Sequence, residues 1–158
     1  YPDYADPGLQ AVLAWLISLP FLAAGGGGGL GLLDLAAVCL WATGFGFEAI
    51  GDRQLARFRA DPANAGRVLD TGLWRYTRHP NYFGEITLWT GVAIMAIPIL
   101  SGWRWVVLVS PIFVTVLLTK ISGLPMLEAR ADKRWGDEPE YQEYKRSTPV
   151  LVPRPPSR

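Results

Sequence analysis

Between Asp34 and Glu48 the chain reads Leu35-Ala-Ala-Val-Cys-Leu-Trp-Ala-Thr-Gly-Phe-Gly-Phe47, a run without a charge set inside the longer stretch Leu30–Ile50. A segment of this length and polarity is read as a membrane-crossing helix rather than a soluble core element. Working outward, three more apolar stretches appear at Leu9–Ala24, Ile86–Leu100 and Trp105–Leu124. The protein has 158 residues, 50% of them apolar and 18% charged. That average would suit a soluble domain, but the charges are crowded into the intervals between the four stretches, as a bilayer requires. The expected fold is therefore all-α, a polytopic transmembrane helix bundle with about four spans and a cytoplasmic helical tail over 125–158.

The spans differ in character. At about 1.5 Å per residue, 9–24 covers about 24 Å, less than a hydrocarbon core of about 30 Å, so this first span needs bilayer thinning. Gly25–Gly29 follows it as a flexible loop, since unbroken glycine has no side chain to pack. The helix over Leu30–Ile50 has no turn cluster to stop it before Arg59, and Asp61-Pro-Ala-Asn-Ala-Gly66 then ends it. Ser101-Gly-Trp-Arg104 is too short to do anything but join spans three and four as an antiparallel hairpin. Beyond Pro125, helices are expected over Glu128–Trp135 and Glu140–Arg146, separated by Gly136-Asp-Glu-Pro139.

Charge sets the orientation. Arg53, Arg57, Arg59, Arg67, Arg75 and Arg78 lie between spans two and three, a second basic group follows Pro125, and Arg104 alone lies in the opposite loops. Both basic regions are expected in the cytoplasm, and four spans place them on one side. A net charge of +1 offers no basis for a nucleic-acid partner. The single cysteine, Cys39, forms no intrachain disulfide and reads as a small packing residue. No metal site is expected. The chain opens on Tyr1 without a signal peptide pattern, so a single membrane domain over 1–158, forming the C-terminal part of a longer protein, is the expected organisation.

Polar chemistry gathers in two places. Glu48 and Asp52 are four apart, on one helix face, where span two leaves the hydrocarbon, with Arg59 further along. As a ligand site, these carboxylates would accept hydrogen bonds from ribose or adenine while Arg59 meets phosphate; otherwise they are a solvated helix end. The second place is Gly72-Leu-Trp-Arg75-Tyr76-Thr77-Arg78-His79-Pro80-Asn81-Tyr82-Phe83-Gly84-Glu85. Pro80 keeps His79 out of helix and suits a first helical turn, whose unpaired N–H groups and flanking arginines favour an anion. A carboxylate such as Glu85 opening a span is expensive unless paired or hydrated.

Together, Gly46–Phe58 and Gly72–Glu85 resemble the steroid 5-alpha-reductase superfamily in its bacterial branch, and the likeness continues to Pro153 through Glu128, Gly136, Tyr141 and Tyr144. The resemblance implies a bacterial inner-membrane, NADPH-dependent oxidoreductase acting on CH–CH groups of a lipid-soluble enone, steroid-like or other alkene. It also implies a cofactor held in a cytoplasm-facing cavity. Asp52, Arg59, Asn81 and Glu85 match cofactor-side positions, whereas Glu48 stands where the reductases carry an asparagine. Arg75, Tyr76, Arg78, His79, Tyr82, Glu128 and Tyr144 complete the implied cofactor-binding set. The superfamily's substrate-polarising residues belong to earlier helices, so upstream helices are implied as partners, with Tyr82 and Glu85 the proton donors at hand. Arg78-His-Pro-Asn-Tyr-Phe-Gly84 also fits the Arg-His-Pro-x-Tyr-x-Gly pattern of isoprenylcysteine carboxyl methyltransferases, implying S-adenosylmethionine as the alternative cofactor. A membrane module without turnover is the third reading.

Overall fold

A computed structural model describes residues 31–156. The first expected span, 9–24, and the glycine loop lie outside the described residues. Within them the protein is all-helical, with no strand. Helix α1 runs Leu32–Ala60, α2 Pro80–Ala96, α3 Val109–Val116, α4 Leu124–Trp135 and α5 Pro139–Ser147, with short 3-10 turns at Pro62–Asn64, Gly72–Arg75, Ile97–Ile99 and Gly102–Leu108.

Helix α1 continues without interruption to Ala60, as its sequence predicts. Its 29 residues span about 43 Å at 1.5 Å per residue, longer than a hydrocarbon core of about 30 Å, and its charged residues from Asp52 to Arg59 gather at one end. Helix α2 begins at Pro80, the residue the sequence offers for its first turn, six residues ahead of the apolar stretch that opens at Ile86. Proline at the first helical position needs no N–H partner, and His79, at φ −139°, is the non-helical residue ahead of it. Asn81, Tyr82 and Glu85 are thus helical residues of α2.

The last expected span is also redrawn. Its helical run starts at Gly102 as a 3-10 turn, becomes α3, and widens into a π-turn at Leu117–Ile121. A break at Ser122–Gly123 follows, where a Cβ on residue 123 would collide with the Leu118 carbonyl oxygen. Only glycine lets the chain fold back this closely. Pro125 then sits in the first turn of α4, so it starts the tail helix, which begins at Leu124 and not at Glu128.

The contact between α1 and α2 sets the architecture. Ala37, Gly44 and Gly51 recur every seventh residue on α1 and are buried, and Gly84 and Gly91 do the same on α2. A Cβ on Gly44 would meet the Leu88 backbone nitrogen and lie 2.6 Å from the Gly84 carbonyl oxygen. One on Gly84 would lie 2.5 Å from the Glu48 nitrogen and the Gly44 oxygen, and one on Gly91 2.8 Å from the Trp41 nitrogen. The helices therefore run antiparallel with backbone against backbone. The edge-to-face pair Phe47 and Phe83, 5.0 Å between centroids, packs alongside.

Large apolar residues face the other way. Leu32, Leu35, Val38 and Phe45 of α1, and Trp103, Val109, Ile112 and Val116 beyond α2, are exposed. Small residues inside and large ones outside is the pattern of helices that pack in lipid, where tails solvate leucine as well as another helix does. The run Leu32–Ala60, and the part of Gly102–Trp135 ahead of the Ser122–Gly123 break, are long and apolar enough to cross a membrane, and the chain is an integral membrane protein. Gly44→Ala is expected to lower stability by about 2 kcal/mol through overpacking, read as a drop in detergent melting temperature. Gly46→Ala, two residues on, where a Cβ meets nothing within 4 Å, should leave stability unchanged or raise it by up to about 1 kcal/mol.

Candidate functional site

The polar end of α1 anchors the next segment. Gln54 Oε1 accepts from the Leu73 N–H at 2.9 Å, and the Trp74 indole donates to the Gly51 carbonyl at 3.1 Å. Tyr144 of α5 donates its hydroxyl to the Trp74 carbonyl at 2.7 Å. Trp74 is thereby tied from both sides. The 3-10 turn Gly72–Arg75 is a fixed floor between α1 and α5, with Arg75 and Tyr76 on its exposed side.

The residues that follow are strapped by the tail. The fully buried Thr77 donates to the carbonyls of Val150 and Leu151, the Arg78 N–H donates to Pro149, and the Arg154 N–H donates to Tyr76. Arg78 and His79, 8% and 7% exposed, then reach across to α4. Arg78 Nη1 donates to one Glu128 oxygen at 2.5 Å, and His79 Nε2 lies 2.8 Å from the other. Burial alone would push the Glu128 carboxyl up, but the His79 hydrogen bond and the Arg78 charge outweigh it and hold it below the usual range. A carboxylate only accepts, so Nε2 of His79 carries the proton in this pair. The His79 ring stacks on Tyr82 at 5.7 Å.

Asn81 links this clamp to α1 by donating Nδ2–H to Asp52 Oδ1 at 3.0 Å. Around it lie Glu48, Tyr82 and Glu85, with Glu85 in Coulombic range of both Glu48 and Asp52. These acidic groups are neighbours because Gly84 lets α2 approach the Glu48 backbone.

A cleft of about 520 Å³ opens between the end of α1, the 61–69 loop, the start of α2, and helices α4 and α5. The structure places Arg59, Arg78, His79, Asn81, Glu128 and Tyr144 on its walls. Glu48, Asp52, Tyr82 and Glu85 lie instead on the adjoining α1/α2 face, joined to the cleft through Asn81. Two buried polar atoms of the wall, Arg78 Nε and Asn81 Oδ1, have no partner among the described residues, an arrangement that suits a bound polar ligand.

Sequence reasoning passed over part of this wall. Trp135 donates its indole N–H to the Gly66 carbonyl at 2.6 Å and closes the loop onto α4, with the Arg134 guanidinium 4.7 Å above its ring. Arg67, Arg130, Phe58 and Trp74 also line the cleft. The spacing of Arg130 and Arg134, four apart on one helix, was the available signal. Among the described residues no group of three or more His, Cys, Asp or Glu is arranged to hold a metal ion.

Comparison with known proteins agrees with the superfamily resemblance. The model of a family described as a protein of unknown function (DUF1295) matches residues 7–148. The 3-oxo-5-alpha-steroid 4-dehydrogenase 1 of Rattus norvegicus is 27% identical over 120 residues, which cover 75% of this chain and 40% of that relative. The chain thus spans less than half the length of the curated relative it matches. No solved structure matches.

The clamp carries a pH signature. A carboxyl held low in the fold stabilises it above the ordinary glutamate value of 4.5, and that contribution is lost as pH falls through the lower folded value. Glu128→Gln should cost about 2 kcal/mol at neutral pH by leaving the Arg78 charge unpaired, and should flatten the decline of melting temperature as pH falls below the ordinary glutamate value of 4.5. Parallel pH profiles for parent and variant would count against the clamp.

Proposed function

The chain belongs to the DUF1295 family, and from that premise we propose that it forms the cofactor-binding part of a membrane-embedded, NADPH-dependent reductase acting on a lipid-soluble enone or other alkene. The observation that carries the proposal is the cleft, where residues far apart in sequence, Arg59, Arg78 with Asn81, Glu128 and Tyr144, meet on one surface. The distant likeness to a steroid dehydrogenase supports the choice of reaction class. A volume of about 520 Å³ falls in the range of about 300–1,000 Å³ usual for small-molecule sites. The orphaned Arg78 Nε and Asn81 Oδ1 offer one donor and one acceptor, which fits a ligand that presents both kinds of group.

When bound, NADPH supplies the hydride. The chain's own residues position and neutralise. Arg59 offers a guanidinium for phosphate, Asn81 presents a fixed carboxamide because Asp52 holds its Nδ2, and the Glu128 clamp keeps Arg78 and His79 in one arrangement. Reduction of an alkene also needs a proton at the second carbon, for which Tyr82 and Glu85 are the protonatable groups α2 offers. In this proposal the cleft, the basic loop and the C-terminus face the cytoplasm of a bacterial inner membrane, following the arginine bias across the spans. The lipophilic substrate and any further helices that contact it belong to the same proposal.

Thermal unfolding in detergent tests the reading directly. NADPH at about one hundred times its dissociation constant should stabilise the protein by about 2.7 kcal/mol, with S-adenosylmethionine giving no shift. Protection by S-adenosylmethionine alone would instead favour a methyltransferase. Asn81→Ala should weaken NADPH binding about tenfold while membrane insertion is retained, and an unchanged titration would remove Asn81 from the site.

A further inference from the structure

We infer that Arg130 and Arg134 of α4, which line the same cleft as Arg59 and Arg67, form the part of the site that grips the ligand's phosphate groups; the inference rests on the reductase reading. A chain whose net charge is +1 lines this one cleft with five arginines against two carboxylates, Asp61 and Glu128. Asp61 is occupied in capping the Ala63 N–H at 2.9 Å, and Glu128 is taken up by Arg78 and His79. Arg59, Arg67, Arg130 and Arg134 pair with no carboxylate among the described residues.

Arg130 and Arg134, four apart on one face of α4, repel each other along the helix, and an anion between them relieves that repulsion. Guanidinium groups bind phosphate oxygens in pairs of parallel hydrogen bonds, so several arginines around one space suit a ligand with more than one phosphate. The rest of the polar wall differs in kind. There Glu128 neutralises Arg78, and Asn81 offers an uncharged acceptor. Arg134 lies six residues along α4 from Glu128, about 9 Å at 1.5 Å per residue, a separation within the length of a dinucleotide. Beside the arginines, the Trp135 ring is held by Gly66 and bounds the cationic end with a flat apolar face.

The test titrates NADPH and inorganic pyrophosphate against detergent-solubilised parent, the Arg130→Gln/Arg134→Gln double variant, the corresponding double Lys variant, and Lys133→Gln. Lys133 lies between the two arginines in sequence but not on the cleft wall, so its variant removes one charge of the same helix without touching the site. The double Gln variant is expected to bind both probes about a hundredfold more weakly, the double Lys variant to fall between, and Lys133→Gln to match the parent. Both arginines are exposed and glutamine is a good helix former, so melting temperatures should agree within a degree or so.

Equal NADPH affinity in parent and double Gln variant would overturn the assignment while leaving the reductase reading intact. Pyrophosphate binding that depends on the two arginines, without any NADPH binding, would uphold the cationic end and remove the reductase reading. Displacement of NADPH by phosphatidylglycerol in mixed micelles, but not by pyrophosphate, would give these arginines to lipid headgroups and overturn the nucleotide assignment. A parent that binds neither probe overturns both.

Discussion

Everything polar in this protein depends on how closely α1 and α2 can approach. Backbone meets backbone along Ala37, Gly44 and Gly51 on one helix and Gly84 and Gly91 on the other, with no room for a Cβ at Gly44, Gly84 or Gly91. In lipid, apolar side chains gain little by leaving their surroundings, so van der Waals contact between small residues does what hydrophobic burial does in water. The same approach brings Asn81 within 3.0 Å of Asp52 and sets Glu85 near Glu48. One glycine interface thus aligns the two helices and assembles the acidic face beside the cleft.

The second constraint acts in the polar tail. Helices α4 and α5 are short and polar, and neither has enough apolar surface to hold itself in place. Specific bonds do so instead: Glu128 to Arg78 and His79, Tyr144 to Trp74, Trp135 to Gly66, and the strap of Pro149, Val150 and Leu151 over Thr77 and Arg78. Within the tail, Tyr141 and Lys145 both donate to Asp132 and close α4 onto α5. The motif residues Thr77, Arg78 and His79 therefore carry two duties, since the bonds that fold the tail over the site also define the cleft's inner wall.

This division explains which expected site residues came together. Those on the end of α1, the start of α2 and the tail, namely Arg59, Arg78, His79, Asn81, Glu128 and Tyr144, converge because the tail wraps them. Glu48, Asp52, Tyr82 and Glu85 lie instead on the adjoining face of the helix pair, near one another. Arg75 and Tyr76 stay outside, on the solvent side of a turn whose buried member is Trp74. A contiguous motif cannot state which of its residues face inward; a 3-10 turn followed by a helix start distributes them in different directions.

The sequence by itself determined the all-helical membrane architecture, the extent of α1, the two tail helices and the identity of the motif, because length, polarity and turn residues act locally. It also carried the likeness to the steroid reductases, through residues close together in two segments. Pro80 marks the start of α2 in the sequence as in the structure, whereas the start of α4 lies four residues ahead of the expected Glu128, because Pro125 occupies a first turn where a missing N–H is harmless. The glycine spine, the Glu128 clamp and the arginine end of the cleft were decided only by tertiary structure. Each is a contact between residues distant in sequence, and glycine in particular signals by what it leaves out, which becomes readable only when the neighbour that fills the space is known.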